Sequence, residues 1–464
     1  MQKIESAHGL VYTCTNPEAV VALERTLRSY LAFDKATGSE MKAMLALDPT
    51  MPMARVIRGS FLMLMGVGVL VGRARAEAES LARDVAGLER REAMHVEALA
   101  AWSGGTLQKA TALWTAIMLE WPRDILAIKL ANFGSFYLGR SRQVRDGPAA
   151  VIDHWDRSDP EYSYLLSLHG FGLEECGDFG QAERQVREAL AINPRDPWGV
   201  HGLAHVLEGT ERVGEGIENL ERLQPHWSEA NNFRYHVAWH LALFHFEKGD
   251  LDGALDVYDR LVCSEKAVEY LDICNDASML VRLEIAGVDV GARWKAVAEK
   301  VAARNVELVM AFPDVHFVLA LASSGDAGHR SIAEALCAKM DEFARRMDCD
   351  DADAYRRAGA AIGRATLHYR DGRYAEAARL LIDVEPDLPI IGGSNAQREL
   401  FCELAAECLW RDAPAGVATG SYLASRTFRR PGDSRWWNRY LSNAEMGEQG
   451  RLLAAAQRRR AAST

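Results

Sequence analysis

Small and apolar residues recur along the chain at a spacing that predicts pairs of antiparallel helices. In the segment CGDFGQAERQVREALAINP, Gly177 lies where a turn between two helices is expected, and Ala182 and Ala189 lie in the second helix. Pro194 then closes the unit, because proline does not continue a helix. A single pair cannot bury its apolar face alone, so neighbouring pairs are expected to stack into one continuous core.

The same spacing returns in three other segments, at Gly105, Ala110 and Pro122, at Gly249 and Ala254, and at Gly372, Ala377 and Pro389. The tripeptide Pro-Arg-Asp also recurs, at 122–124 and 194–196, and the two copies lie 72 residues apart. That separation is about two periods of 34 residues. A small turn residue, alanines in the second helix and a closing proline form the pattern of the tetratricopeptide repeat (TPR).

The pattern predicts an all-α fold, a TPR-like α-solenoid of stacked antiparallel helix pairs that curves around a concave polar pocket. The repeats are clearest over residues 90–268. Residues 1–89 are expected to be helical, with a break at Asp48-Pro49, and residues 269–411 are expected to hold degenerate repeats. The acidic run 348–353 is expected to be a solvated loop, and 412–464 an arginine-rich C-terminal extension.

Composition and charge narrow the classes of partner. The chain has 464 residues, a net charge of -11 and 48% hydrophobic residues, which is typical of a folded protein that lacks a basic surface for nucleic acid. The longest apolar run, Phe61 to Gly72, is far shorter than the roughly 20 residues of a spanning helix, so no membrane partner is expected. The first residues, MQKIE, lack an apolar signal core, which predicts a cytoplasmic protein.

Two histidine pairs are the main candidates for chemistry. His201 with His205, and His236 with His240, have i,i+4 spacing, which places both imidazoles of a pair on one face of a helix. The pairs are 35 residues apart, close to one repeat period, so their helices are expected to stack side by side. Glu208 lies a further turn along the first of these helices. We predict that these five residues form a catalytic site.

These side chains suit two kinds of chemistry. Imidazole and carboxylate groups bind zinc, manganese, iron or nickel, and they also serve as general acids and bases. One prediction is therefore a divalent transition metal bound by the four histidines, with Glu208 as a base or fifth ligand. The alternative is that the histidines are core residues with hydrogen-bonded partners, which is common. Neither pair has the HExxH motif, which excludes a zincin protease.

Further pocket residues are expected from their distances to the turns. His95 lies ten residues before Gly105, and His316 lies nine before Gly325. The first helices of proteins that resemble TPRs line the concave groove, so both histidines are predicted to bind a ligand there. Trp239, beside one of the paired histidines, is predicted to do the same because an indole suits a ligand with an apolar part.

The two histidine pairs do not have the same register. His236 and His240 lie thirteen and nine residues before the turn residue Gly249. His201 and His205 lie ten and six residues before Glu211, which takes the turn place in its repeat. Counted pair by pair, the registers differ by about three places, which keeps nearly the same helical face but moves the side chains by about one turn. The sequence therefore predicts a staggered cluster.

The segment Gly392-Gly393-Ser394-Asn395-Ala396-Gln397-Arg398 is the other dense polar motif. The favoured interpretation is a helix start, with Ser394 as the N-cap and Gln397 completing a capping box. Free backbone N–H groups at a helix start also bind anions, with Arg398 as a bidentate partner. Both roles are compatible, so these three residues are also predicted to bind an anionic group.

Four segments carry a resemblance to a known family: HGLAHVLEGTERVGEGIENLERLQPHW (201–227), FRYHVAWHLALFHFEKGDLDGALDVYD (233–259), FPDVHFVLALASSGD (312–326) and IGGSNAQRELF (391–401). In this order they resemble the tetratricopeptide-repeat protein 38 family, and the match is colinear over roughly residues 10 to 410. The resemblance implies an all-helical solenoid. It also implies a family whose biochemical activity is poorly established, so function has to be argued from the residues.

Together these patterns predict a soluble TPR-like protein whose histidine-rich concave pocket binds a small polar or anionic molecule. We expect hydrolysis of that molecule, by metal-assisted or histidine acid/base chemistry. The alternative is a non-enzymatic scaffold that binds a protein partner in its groove. Capture of acidic peptide tails would require lysine and arginine at groove places, where this chain has histidine, tryptophan and carboxylates. The sequence leaves a homo-oligomer open.

Overall fold

The computed structural model describes residues 1–304, 307–413 and 416–429, and it shows helix following helix. The N-terminal half contains α1 Glu18–Leu31, α2 Thr37–Leu47, α3 Pro52–Leu64, α4 Gly68–Ala82, α5 Arg90–Ser103, α6 Leu107–Glu120, α7 Ile125–Tyr137, α8 Ser141–Val151, α9 Tyr162–Glu175, α10 Phe179–Ile192, α11 Pro197–Gly209 and α12 Val213–Trp227. The C-terminal half contains α13 Phe233–Lys248, α14 Leu251–Val257, α15 Tyr270–Ile285, α16 Arg293–Ala302, α17 Ala311–Ser323, α18 Ala327–Arg346, α19 Asp350–Ala354, α20 Ala360–Arg370, α21 Tyr374–Val384, α22 Asn395–Asp412 and α23 Val417–Arg429.

Short segments of other helix types join some of these elements. Two π-helical segments, Tyr258–Val262 and Tyr355–Gly359, follow α14 and α19, and 3-10 turns lie at Val85–Gly87, Ile152–His154 and Glu385–Ile391. The all-α prediction is confirmed. Among the described helices, none combines the length and the apolar composition needed to cross a membrane. The part of the predicted C-terminal extension beyond residue 429 lies outside the described residues.

The chain begins with a β-hairpin, which the sequence did not predict. Strand β1, Gln2–Glu5, pairs antiparallel with β2, Val11–Cys14, so the prediction that residues 1–89 are wholly helical is wrong at this point. The hairpin is fixed to α5 by polar contacts. The backbone N–H and hydroxyl of Thr13 donate to the Glu92 carboxylate at 2.9 and 2.6 Å, and Arg91 donates to the Val11 carbonyl at 2.9 Å.

The turns within the helix pairs lie where the sequence places them. Gly105, Gly177, Gly249 and Gly372 have φ between 73° and 83°, a left-handed conformation that costs glycine little because it has no Cβ. Glu211 takes the same conformation, with φ 59°, which confirms its predicted turn position. The pairs are therefore TPR-like antiparallel units.

The two helices of a pair are buried to different degrees. The first helices α9, α11 and α13 are buried along almost their whole length. The second helix α10 buries only the stripe of Ala182, Val186 and Ala189. A helix buried all round lies inside the array, whereas a one-sided helix covers it. The first helices therefore form the interior where the predicted site residues lie.

The array curls far enough for distant repeats to meet. The backbone N–H of Asn395 at the start of α22 donates to Glu175 at the end of α9 at 2.8 Å, across 220 residues. The backbone N–H of Gln108 in α6 donates to Asp350 at 2.6 Å, across 242 residues. Asp350 begins α19, so the prediction of a solvated loop over 348–353 is wrong from this residue on. These contacts therefore close part of the concave side.

The close packing of α8 against α9 gives a first prediction. A Cβ on Gly172 would lie 2.5 Å from both the backbone N and the Cα of Arg145, and backbone atoms cannot rotate away. Gly172→Ala is therefore expected to lower the free energy of unfolding by about 1–3 kcal/mol, measured by urea denaturation. Gly72→Ala in α4 is the matched control, because its Cβ would meet no atom within 4 Å. A variant as stable as this control would contradict the close approach.

Candidate functional site

All four paired histidines meet in the interior, and we call them the histidine tetrad. His201 and His205 lie in α11, and His236 and His240 lie in the next first helix, α13. The Nε2 atom of His201 is 3.0 Å from Nε2 of His205 and 3.1 Å from Nε2 of His236. Each of the four residues is at most 3% exposed. The predicted side-by-side stacking of the two helices produces this contact.

The register difference between the pairs does not separate the rings. The His240 ring centroid lies 4.7 Å from that of His205, 5.1 Å from His201 and 5.0 Å from His236. Nitrogen atoms of His201, His205 and His240 all lie within 4.8 Å of one another. The fourth ring joins the cluster through its Nε2 contact with His201. The four rings are therefore in contact, and three of them, His201, His205 and His240, form one group of potential metal ligands.

Oxygen atoms face the outer sides of three of the rings. Nδ1 of His205 is 3.4 Å from the Glu174 carboxylate, and Nδ1 of His240 is 3.5 Å from the Glu208 carboxylate. Nδ1 of His236 is 2.9 Å from Oδ1 of Asn275 in α15. An imidazole whose Nδ1–H donates to an oxygen keeps its lone pair on Nε2. On the inner side, Nε2 of His205 and Nε2 of His236 both face Nε2 of His201.

The ionisation of the four rings is uneven. Burial lowers the pKa values of His201, His236 and His240 well below the usual range, and neighbouring histidines lower them further. Burial also lowers the pKa of His205, but the Glu174 carboxylate offsets this and the pKa of His205 is raised overall. The Glu174 carboxylate therefore sets the pKa of His205 apart from those of the other three rings.

A cavity of about 520 Å³ reaches the tetrad from one side. His205, Glu174 and Glu208 line it, so the cavity touches one ring of the tetrad and two carboxylates that contact its rings. Arg282 is also part of the lining, and its Nε lies 2.8 Å from the Glu403 carboxylate. A volume of this size accommodates a small metabolite.

Three other predicted ligand-binding residues lie elsewhere or beneath the surface. His95 in α5 has its Nε2 3.0 Å from the Asp124 carboxylate. His316 in α17 has its Nδ1 2.8 Å from the Phe312 carbonyl, and its ring contacts Phe401. Trp239 is fully buried and stacks on the ring of a tetrad member. Within the described part of the chain, none of the three lines the cavity, so the structure provides no direct contact between them and a ligand there.

The helix-start interpretation of the second polar motif is confirmed. The Ser394 hydroxyl accepts from the backbone N–H of Gln397, and the Gln397 side chain accepts in return from the N–H of Ser394. Arg398 lines the cavity, but its guanidinium donates to the Gly393 carbonyl and lies 3.4 Å from the Glu175 carboxylate. The guanidinium of Arg398, which was predicted to bind an anionic ligand, thus already donates to acceptors within the protein.

The sequence did not predict two residues of the site, Glu174 and Asn275, although the repeat spacing indicates the first of them. Glu174 lies 34 residues before Glu208, which is one repeat period, and each glutamate contacts a tetrad histidine of the following repeat. Comparing equivalent positions of the two repeats would have found it. Asn275 had no such signal, because it lies beyond the clear repeats and no paired residue marks its position.

No protein-family model matches the chain. Among solved structures it is similar to the human IFIT1 dimer with m7Gppp-AAAA, at 12% identity and a TM-score of 0.39, over 93% of this chain and 95% of that one. It is also similar to Naa15/Naa10 bound to HypK-THB, at 12% identity and a TM-score of 0.25, over 93% of this chain and 67% of that one. The assignment of a TPR-like fold rests on the helix pairs described above.

Proposed function

We propose that this TPR-like protein binds a small polar molecule in the 520 Å³ cavity and hydrolyses it. The observation that carries the proposal is the position of His205, Glu174 and Glu208 in the lining, in contact with a buried cluster of imidazoles. The cytoplasm as its location and membership of the tetratricopeptide-repeat protein 38 family belong to the same proposal. The family assignment rests on the four shared motifs.

The proposed roles follow from which groups reach the cavity. Glu208 lines it and also contacts His240, so it would act as the general base that takes a proton from water. His205 lines it too and is oriented by Glu174, an imidazole–carboxylate pair of the kind that serves general acid/base catalysis. Water activated by a metal ion in the tetrad would be the metal-assisted form of the same reaction. An anionic group on the substrate is not part of the proposal, because Arg398 has protein acceptors.

A protein-binding scaffold is the second candidate function. The helix-pair array favours it, since helical repeats commonly present a concave surface to a protein partner. The contact between α9 and α22 closes part of that surface, which counts against an extended peptide in the groove. Binding of a protein partner, without hydrolysis of any of the small chromogenic substrates described below, would support the scaffold function.

Turnover of small chromogenic substrates tests the hydrolysis. We expect purified protein to cleave at least one of p-nitrophenyl acetate, p-nitrophenyl phosphate and alanine p-nitroanilide above the rate in buffer. Glu208→Gln is expected to lower kcat/KM for that substrate by about 10²–10⁴-fold, because a general base typically contributes this much. Release of the nitro-aromatic product is followed by absorbance.

The control variant is Glu218→Gln, which removes an exposed carboxylate on α12 and should keep the wild-type rate. Hydrolysis is contradicted by a wild-type protein that cleaves none of the three substrates. Equal losses in the two variants would also contradict it, because the effect would then not depend on the cavity.

A further inference from the structure

Three Nε2 atoms of the tetrad, those of His201, His205 and His236, face one another at its centre. Nδ1 of His205 lies 3.4 Å from the Glu174 carboxylate and Nδ1 of His236 lies 2.9 Å from Oδ1 of Asn275, so Nε2 of each ring points toward the inside of the tetrad. Both face Nε2 of His201, at 3.0 and 3.1 Å. One imidazole nitrogen has either one hydrogen or one lone pair, so Nε2 of His201 can form a good hydrogen bond with only one of these two neighbours.

Other nitrogens of the tetrad have no hydrogen bond at all. Among the described residues, Nε2 and Nδ1 of His240 and Nδ1 of His201 are buried without a hydrogen-bond partner, and the Glu208 carboxylate lies 3.5 Å from Nδ1 of His240. A buried polar group without a partner costs roughly 1–3 kcal/mol, and native proteins seldom leave several together. A cluster that is only a packed core would replace such groups with apolar side chains. The arrangement therefore indicates a ligand that accepts several lone pairs at one point.

We propose that the histidine tetrad binds one divalent transition-metal ion through its imidazole nitrogens, with zinc as the reference ion. A tetrahedral zinc site with bonds of 2.0–2.1 Å places its nitrogen ligands about 3.4 Å apart. The Nε2 pairs at 3.0 and 3.1 Å are close to this spacing, and nitrogens of His201, His205 and His240 lie within 4.8 Å of one another. The donor set is all imidazole, which suits zinc, nickel or iron better than calcium or magnesium.

The outer contacts of the rings fit the same role. Metal-binding histidines usually donate their second ring N–H to a carboxylate or carbonyl oxygen, which fixes the tautomer and orients the ring. Glu174, Glu208 and Asn275 stand at these positions for three of the four rings. Glu174 and Glu208 occupy equivalent positions in consecutive repeats, so the repeat spacing places a carboxylate beside one histidine of each pair.

A rival set of ligands is made by Glu174, Glu175 and His205, whose side-chain atoms also lie within 4.8 Å of one another. Glu175 already accepts from the backbone N–H of Asn395 and contacts Arg398, so it has protein partners that the tetrad nitrogens lack. We therefore assign the ion to the tetrad. Binding of the metal ion is independent of the proposed hydrolysis. A role of the ion in catalysis rests on that proposed function, because His205 is the tetrad residue that lines the cavity.

Metal content of the full chain, purified through a tag without histidine, tests the site. We expect about one equivalent of a transition metal by elemental analysis. After removal of metal with a chelator, added Zn²⁺ should raise the melting temperature, because a ligand that binds only the native state stabilises it. Added Co²⁺ should give the visible absorption of a tetrahedral cobalt complex. Less than about a tenth of an equivalent of metal, with no rise in melting temperature on adding Zn²⁺, would overturn the proposal.

Variants connect the metal to these residues. His201→Ala/His236→Ala should abolish binding of Zn²⁺, whereas His226→Ala/His245→Ala, which removes two histidines of α12 and α13 outside the tetrad, should keep it. Asn275→Ala leaves all four ligands and should weaken Zn²⁺ binding by about 10–100-fold, which covers the case in which the double variant does not fold. Equal Zn²⁺ binding by the wild type and the tetrad variant would overturn the assignment.

The two proposals fail in different ways. Binding of one Zn²⁺ by a protein that cleaves none of the chromogenic substrates would keep the metal site and overturn the hydrolysis. Cleavage that is unchanged in chelator-treated protein, together with no binding of Zn²⁺, would keep the hydrolysis and overturn the metal site.

Discussion

Replacing Asp124 with alanine is expected to lower the free energy of unfolding by about 3–5 kcal/mol. Asp124 is buried, and its Oδ2 accepts from Arg91 at 2.6 Å and lies 3.0 Å from Nε2 of His95. Its Oδ1 also caps α7 by accepting from the backbone N–H of Ala127 at 2.9 Å. The substitution removes the cap and leaves the Arg91 guanidinium buried without its carboxylate. Urea denaturation followed by circular dichroism measures the loss.

Asp178 provides the matched control for this prediction. It caps α10 in the same way, by accepting from the backbone N–H of Gln181, but it is partly exposed and has no buried arginine beside it. Asp178→Ala is therefore expected to cost only about 1 kcal/mol, the usual value for a lost N-cap. A similar cost for both variants would mean that the buried ion pair contributes nothing beyond the cap.

Stability is expected to fall as the pH rises toward 8 because of Asp314. This residue is buried in α17, and burial raises its pKa to about 8 although the Tyr355 hydroxyl, which donates to it at 2.5 Å, lowers it. An unfolded aspartate has a pKa of about 3.9, so between these values the folded state holds a proton that the unfolded state has lost. The free energy of unfolding from this group therefore decreases by about 1.4 kcal/mol per pH unit over that range.

Asp314→Asn removes the titrating group and keeps the size of the side chain. The variant should become more stable than the wild type as the pH is raised from 5 to 8, measured by urea denaturation at each pH. Asp252→Asn, at an exposed position of α14, should differ from the wild type by the same small amount at every pH. A constant difference for Asp314→Asn as well would show that its carboxyl group does not change its charge in this range.

The repeat pattern was sufficient to place the turns and the tetrad. Glycines in the turns have no Cβ, so their left-handed backbone could be predicted from residue type, and Glu211 was found by counting from its neighbours. The i,i+4 spacing and the repeat period then placed four imidazoles on adjacent helices. These features depend on local geometry, which a sequence displays directly.

Contacts between distant repeats could not be predicted in this way. The hairpin formed by β1 and β2 is short, and it is held by Glu92 and Arg91 of a helix nearly 80 residues away. One partner of Arg398 is Glu175, 223 residues earlier, and nothing in the sequence connects the two residues. Such contacts depend on how far the array curls, which is a sum of small rotations between repeats.

The two copies of the tripeptide Pro-Arg-Asp have the same local structure but different tertiary contacts. In both copies the aspartate caps the next first helix, α7 or α11, as its position suggests. Burial raises the pKa of Asp196 to about 6, and the Ser167 hydroxyl that donates to it only partly offsets this. Burial acts on Asp124 in the same direction, but His95 and Arg91 outweigh it and the pKa of Asp124 is lowered. The pKa of the aspartate is thus raised in one copy of the motif and lowered in the other, because different side chains of the preceding first helix contact it.

The bonds from Asn395 to Glu175 and from Gln108 to Asp350 fix the number of repeats. An open solenoid tolerates the gain or loss of a unit, since each unit contacts only its neighbours. In this protein a unit added or removed between the bonded segments would pull both bonds apart and open the interior. The contact between α9 and α22 thus joins two distant parts of the array that both line the cavity.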